Sequence, residues 1–201
     1  MNPTPNTLTD RVRQQVAGSL SRAGMALHRS GIHPDWITLF GMGLVVVAAV
    51  FIARGQMQVG ALILIVGLPL DALDGAVARA MQRQDKFGAV LDSTLDRYAD
   101  GFIFGALGYH FASLGQPEYV LLALAALVGS YGVSYVRARA GEAGLSVKVG
   151  WFTRMERVAV ILLALLIPAL LMPGLWILAV GTNVTALQRV WFVYRTTQQK
   201  T

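Results

Sequence analysis

"GQMQVGALILIVGLPL", Gly55–Leu70, carries no charge, and it runs directly into "DALDGAVARAMQRQDKFGAVLDSTLD", Asp71–Asp96, which carries five aspartates. Carboxylates at the end of an oily run sit where desolvation is expensive, so they need a reason to be there. The oily character continues on both sides. Trp36–Ala53 is uncharged and is ended by Arg54. Gly101–Pro117 and Tyr119–Val136 are uncharged, and so is Val158–Gln188, which "MPG" interrupts at Met172–Gly174. A bilayer core is about 30 Å thick and a helix rises about 1.5 Å per residue, so a span takes roughly 20 residues. These segments predict six transmembrane helices, at 36–54, 57–81, 88–113, 118–140, 154–172 and 174–195. Helices are expected because lipid cannot satisfy open backbone groups. The alternating ten-residue segments of a membrane barrel are absent. The expected fold class is therefore an all-α, polytopic integral membrane protein.

Composition agrees. Of 201 residues, 55% are hydrophobic and 14% are charged, against about 25% charged in soluble domains. There is no cysteine, which excludes disulfides, thiolate catalysis and cysteine-based zinc sites. The opening "MNPTPNTLTDRVRQQ" lacks the apolar core of a secretory signal. Sixteen of the seventeen basic residues fall on one side of the predicted spans, leaving Arg54 alone on the other, and all the acidic residues but Glu118 join them. The positive-inside rule places that side, with both termini, at the cytoplasmic face of the cell membrane. The net charge of +6 is thus read as a membrane-surface signature, with no nucleic-acid partner expected. Leu8, Val12, Val16, Leu20, Ala23 and Leu27 recur at helical spacing with arginines between them. They predict an amphipathic helix over 7–29, lying on the cytoplasmic leaflet. The domain boundaries that follow are 1–33 for this juxtamembrane segment and 34–201 for the six-helix domain.

Asp71 and Asp74 are three apart and share a helix face; Asp92 and Asp96 are four apart and share a face of the next helix. A short connection makes these helices antiparallel neighbours, so the two pairs can face each other. Four converging carboxylates repel, and either protonation or cations can relieve them. Hard divalent ions with oxygen ligands, Mg²⁺ or Mn²⁺, suit the site best, and two such ions are an arrangement used to move phosphoryl groups. Gly75 lets a ligand approach the backbone, Ala78 keeps the same face low, and Arg79 offers a planar cation for phosphate oxygens. Asp85 is expected to precede or cap the third helix, and Asp100 to pair with Arg97 or a neighbouring helix.

The pattern D-x₂-D-G-x₂-A-R-x₈-G-x₃-D-x₃-D, met here by Asp71, Asp74, Gly75, Ala78, Arg79, Gly88, Asp92 and Asp96, resembles that of the CDP-alcohol phosphatidyltransferases. The resemblance implies displacement of CMP from CDP-diacylglycerol by the hydroxyl of a small alcohol. It implies Asp71, Asp74, Asp92 and Asp96 as metal ligands, with Asp96 also the general base, and Asp74, Gly75, Ala78 and Arg79 around the CDP moiety. "HPDWITLFG", His33–Gly41, is similar to the family's opening of the first membrane helix, which adds Thr38 to the nucleotide site; Asp35 stands where the family often has Asn. A homodimer is implied as well.

"SYVRARAGEAGLSVKVGWFTRMER", Ser134–Arg157, resembles the bacterial branch that makes phosphatidylinositol phosphate from inositol 1-phosphate. It implies Ser134, Arg137, Arg139 and Arg157, with Arg189, as the acceptor-phosphate site. Arg137 stands where the branch often has Lys, and Met155 where it often has Pro. Lys148, Arg154 and Arg195 are read as positive-inside anchors, and His28, His33 and His110 are given no role. The alternative acceptor is glycerol 3-phosphate. A cation transporter would also gather intramembrane carboxylates, but the outer halves of the predicted helices have no polar path. A purely structural bundle, packed through residues such as Gly101 and Gly105, is the third reading.

Overall fold

The computed structural model describes residues 34–67 and 86–198, and every regular element among them is helical. The elements are α1 (Pro34–Ala53), α2 (Met57–Gly67), α3 (Lys86–Ser113), α4 (Pro117–Glu142) and α5 (Arg154–Leu166). A 3₁₀ turn (Pro168–Leu170) and α6 (Leu171–Gln198) complete the order. Trp36–Ala53, Pro117–Glu142 and Pro168–Gln198 are each long and apolar enough to cross a membrane, and α2 is a shorter apolar helix. The chain is a membrane protein with an all-helical fold. The segment 7–29, the rest of the second expected span and Asp85 lie outside the described residues.

Three glycines set the helix ends. Gly55, Gly115 and Gly144 have φ of 79°, 68° and 73°, the left-handed region that a side chain disfavours. Each is followed by an N–H that reaches back five residues. Gln56 N donates to Phe51 O at 2.9 Å, Gln116 N to Phe111 O at 3.0 Å, and Leu145 N to Ala140 O at 2.8 Å. This is the Schellman arrangement, which satisfies carbonyls a helix end would otherwise orphan. Pro117 then opens α4 at the first helical position, where its missing N–H costs nothing.

The sequence put the last break at Met172–Gly174; the structure puts it at Ile167–Leu170. Ile167 is extended (φ −112°, ψ 105°) because it precedes Pro168. Pro173 and Gly174 lie inside the first turn of α6, where a proline removes no intrahelical bond.

The chain divides into two compact units, Met1–Leu44 with Val66–Leu95, and Val45–Ile65 with Asp96–Thr201. In the first, Ile37 is buried. The hydroxyls of Ser93 and Thr94 donate to Val90 O at 2.9 and 2.7 Å, back-bonding that hides polar groups in an apolar setting.

The second unit holds the main core, built from Ala48, Ile52, Leu107, Ala123, Ala126, Leu165, Leu175 and Leu178 among others. Between α4 and α6 the packing relies on a missing side chain. A Cβ on Gly129 would overlap Thr182 Oγ1 and sit 2.7 Å from Asn183 Nδ2. Asn183 uses the approach to donate across to Ala125 O (2.9 Å) as well as to Ala179 O on its own helix (2.8 Å). Small residues and interhelical amide bonds are how helices associate where lipid removes the hydrophobic drive. Leu121, Val128, Trp176, Val180 and Leu187 are exposed, as a lipid-facing surface requires.

This unit also sorts its charges by end. A Cβ on Gly55 would lie 2.9 Å from the His110 ring, so the α1–α2 turn meets the C-terminal end of α3. Arg54 and Glu118, the two charges the sequence sets apart, flank turns at that end. At the other end Asp96 and Asp100 of α3 pair with Arg154 and Arg157 in the first turn of α5. Both partners advance in the same direction, so α3 and α5 run parallel there.

Candidate active site

The acidic motif begins outside the described residues, which is where Asp71, Asp74, Gly75, Ala78 and Arg79 fall. Its second half lies on α3. Asp92 is exposed and belongs to the first unit, as does the partly buried Thr38 of α1; Asp96, one helical turn after Asp92, belongs to the second. No group of three His, Cys, Asp or Glu side chains comes together among the described residues. Each of the two described carboxylates is an oxygen donor of the kind a hard divalent ion takes.

In the second unit Asp96 is the hub of a charged cluster. Its Oδ1 is 2.5 Å from Arg154 Nη2, and its Oδ2 is 3.6 Å from Arg97 Nη1. One turn further, Asp100 Oδ2 accepts from Arg157 Nη2 at 3.4 Å. Arg157 feels the charges of Arg97, Arg154, Asp96 and Asp100, and Arg189 those of Arg137 and Arg157. Among the described residues three guanidiniums, Arg97, Arg154 and Arg157, thus stand against the carboxylates of Asp96 and Asp100. The excess of positive charge is what an anion would neutralise.

The residues assigned to the acceptor separate by environment. Arg157 is buried, and its Nε has no partner among the described residues. Ser134 is half-buried and Arg137, on the same face of α4, is exposed. Arg139 is exposed and paired with Glu142. Arg189 is buried and commits Nη1 to Val133 O (2.7 Å) and Nε to Val149 O (3.0 Å).

Those two bonds tie the end of α4 and the α4–α5 loop to α6. The loop is fastened again by Phe152 N–H, which donates to Thr185 Oγ1 at 3.1 Å. Gly150 (φ 115°) and Gly181 leave room, since a Cβ on either would collide with Thr185 or with the Phe152 ring. The loop therefore delivers Arg154 and Arg157 to α3 from a fixed base.

Three features escaped the sequence reading. Arg154, taken for a topological anchor, holds Asp96. Tyr131 donates its hydroxyl across to Arg97 O at 2.9 Å, in a space that a side chain on Gly101 would fill. Ser130, one turn before Ser134, is fully buried, and its Oγ has no partner among the described residues. The spacing of Asp96 and Asp100 by four, set against Arg154 and Arg157 by three, was the available signal for the first.

The sequence pattern of the CDP-alcohol phosphatidyltransferases matches residues 31–192. The chain belongs to this family. It is accordingly a transferase. It is 38% identical over 172 residues to the phosphatidylinositol phosphate synthase of Mycolicibacterium smegmatis, covering 81% of this chain and 78% of that one. It is 37% identical over 186 residues to the archaetidylinositol phosphate synthase of Pyrococcus horikoshii, covering 92% and 95%. Its fold matches the crystal structure of the Mycobacterium tuberculosis phosphatidylinositol phosphate synthase with CDP-diacylglycerol bound (TM-score 0.82, 33% identity, 87% of this chain and 93% of that one). The same synthase in complex with manganese and citrate matches with a TM-score of 0.80 at 33% identity, covering 87% and 88%.

Proposed function

We infer that this transferase moves the phosphatidyl group of CDP-diacylglycerol to the hydroxyl of inositol 1-phosphate, releasing CMP. The observation that carries the acceptor is the buried Arg157 guanidinium with an unpartnered Nε, set with Arg97 and Arg154 against only Asp96 and Asp100 among the described residues, an excess that a neutral alcohol would leave unbalanced and a phosphate dianion would neutralise. The similar synthases support the same acceptor over glycerol 3-phosphate, and they support a phosphatidyl donor over the transport of cations.

In this reading the acceptor oxygen attacks the phosphorus that bears the diacylglycerol. One P–O bond forms, the bond to CMP breaks, and the hydroxyl proton passes to an Asp96 carboxylate oxygen. Arg154 holds that carboxylate in place before the acceptor arrives. Asp71, Asp74, Asp92 and Asp96 would hold two divalent ions, Mg²⁺ or Mn²⁺, whose charge would screen the pyrophosphate and the departing CMP. Asp74, Gly75, Ala78, Arg79 and Thr38 would hold the CDP moiety. Ser134, Arg137 and Arg157 would receive the acceptor phosphate, with Arg189 fixing the loop beside it and Arg139 contributing less because it is exposed.

The experiment is CMP release by the purified chain from CDP-diacylglycerol with Mg²⁺ or Mn²⁺ and a panel of alcohols. Inositol 1-phosphate is expected to support release at least tenfold faster than glycerol 3-phosphate or free inositol. A preference for either of the others refutes the acceptor assignment, and no release with any alcohol refutes the reaction.

The reading also places both termini and the site at the cytoplasmic face of the cell membrane, and joins two chains in a homodimer. Because there is no native cysteine, single-cysteine variants report on one position each. On intact cells an impermeant maleimide is expected to label Glu118→Cys and spare Ser146→Cys; labelling of Ser146→Cys overturns the orientation. A one-chain mass by light scattering in detergent would remove the dimer.

A further inference from the structure

We propose that Asp100 is a positioning residue for acceptor binding, holding the Arg157 guanidinium by one terminal nitrogen so that its Nε edge is left for the acceptor phosphate. The proposal rests on the phosphorylated-acceptor reading above and goes beyond it to a residue outside the eight-position motif.

Asp100 is one helical turn past Asp96 on α3, deeper along the predicted span. Its Oδ2 lies 3.4 Å from Arg157 Nη2, and the two side chains are 22% and 8% exposed. A guanidinium so buried needs its donors met, because an unmade bond there keeps the full cost of desolvation. Asp100 meets one nitrogen. The Nε donor is buried and has no partner among the described residues. If Asp100 served only to neutralise Arg157, a two-nitrogen fork onto the carboxylate would be the stronger arrangement. Instead the carboxylate grips one corner and leaves another donor unspent.

The surroundings argue the same way. Arg189 of α6 places like charge near Arg157, and Arg97 and Arg154 add like charge on the side of α3. Asp96, the other carboxylate whose charge Arg157 feels, is already engaged by Arg154 at 2.5 Å. Asp100 is therefore the carboxylate that decides where the Arg157 guanidinium rests. The parallel course of α3 and α5 keeps the two rungs, Asp96 with Arg154 and Asp100 with Arg157, in step. The residue that moves the proton and the arginine that receives the acceptor are thereby tied to one helix.

The test compares wild type, Asp100→Asn, Asp100→Glu, Arg157→Gln and the double variant Asp100→Asn/Arg157→Gln, purified in detergent and checked by thermal melting. KM for inositol 1-phosphate and for CDP-diacylglycerol is measured separately by CMP release. Asp100→Asn is expected to raise the acceptor KM about tenfold or more, with the CDP-diacylglycerol KM within twofold. In the Arg157→Gln background the same change should add less than twofold, because Asp100 acts through Arg157. Asp100→Glu keeps the charge but shifts the guanidinium, and is expected to raise the acceptor KM alone; it carries the test if Asp100→Asn does not fold. An unchanged acceptor KM, equal rises in both KM values, or a full additional factor in the Arg157→Gln background overturns the proposal while wild-type use of inositol 1-phosphate leaves the functional reading standing. A wild type inactive with every phosphorylated alcohol overturns both.

Discussion

Asp96→Asn is expected to cut CMP release by about a thousandfold or more while CDP-diacylglycerol still binds. A positioned general base contributes on the order of 10²–10⁴ in rate, and this carboxylate is also assigned to the metal site, so two losses compound. The substitution is nearly isosteric, and its main neighbour is forgiving: Arg154 is 42% exposed and can turn to water when the ion pair is lost, since partly exposed pairs contribute about 1 kcal/mol or less. The fold should therefore survive, which a melting temperature within a few degrees of wild type would verify. Equilibrium binding of CDP-diacylglycerol should weaken by no more than about tenfold, because three of the four motif carboxylates remain. Normal turnover by a folded Asp96→Asn protein would refute the base assignment. Loss of lipid binding in parallel with turnover would instead assign Asp96 to the metal site alone.

The helices were legible because lipid enforces a simple rule, and uncharged runs near 20 residues obey it. The ends of α1, α3 and α4 fall at Gly55, Gly115 and Gly144, left-handed positions that the sequence analysis did not single out. The final break was misplaced because "MPG" is the louder signal and Pro168 the decisive one. Proline stops a helix through the residue before it, and Ile167 is the residue that leaves helical geometry. Of the motif carboxylates the structure describes Asp92 and Asp96, one turn apart on α3 as their spacing predicted. What spacing could not give was how the arginines divide their work. Arg154 and Arg157 are three apart and look alike in sequence, yet one takes Asp96 and remains half-exposed while the other takes Asp100 and is buried. Arg189 is assigned to the acceptor by the family resemblance, and the sequence did not show that it also ties down the loop. Its position against a tightly laid loop makes Val133 O and Val149 O its partners, and no local pattern encodes an approach between residues forty apart in sequence.

Arg157→Gln is expected to raise the KM for inositol 1-phosphate at least about thirtyfold, with the KM for CDP-diacylglycerol within about threefold. Truncating one member of a buried, hydrogen-bonded charge pair costs about 2–5 kcal/mol, and about 1.4 kcal/mol is a factor of ten, so thirtyfold is the lower end. The same change at Arg139 should raise the acceptor KM by less than about fivefold. Arg139 is 61% exposed and already paired with Glu142, and exposed pairs contribute about 1 kcal/mol at most. The contrast isolates burial, because both residues are arginines that the family resemblance assigns to the same phosphate. Arg157→Lys supplies the control: it keeps the charge but loses the planar fork and the Nε donor. It should recover only part of the loss, leaving KM between those of wild type and Arg157→Gln. Equal effects at Arg139 and Arg157 would show that the acceptor senses a diffuse positive field. Equal effects of Arg157→Gln on both substrates would show that the residue supports the whole site, and the acceptor pocket would then have to be sought elsewhere.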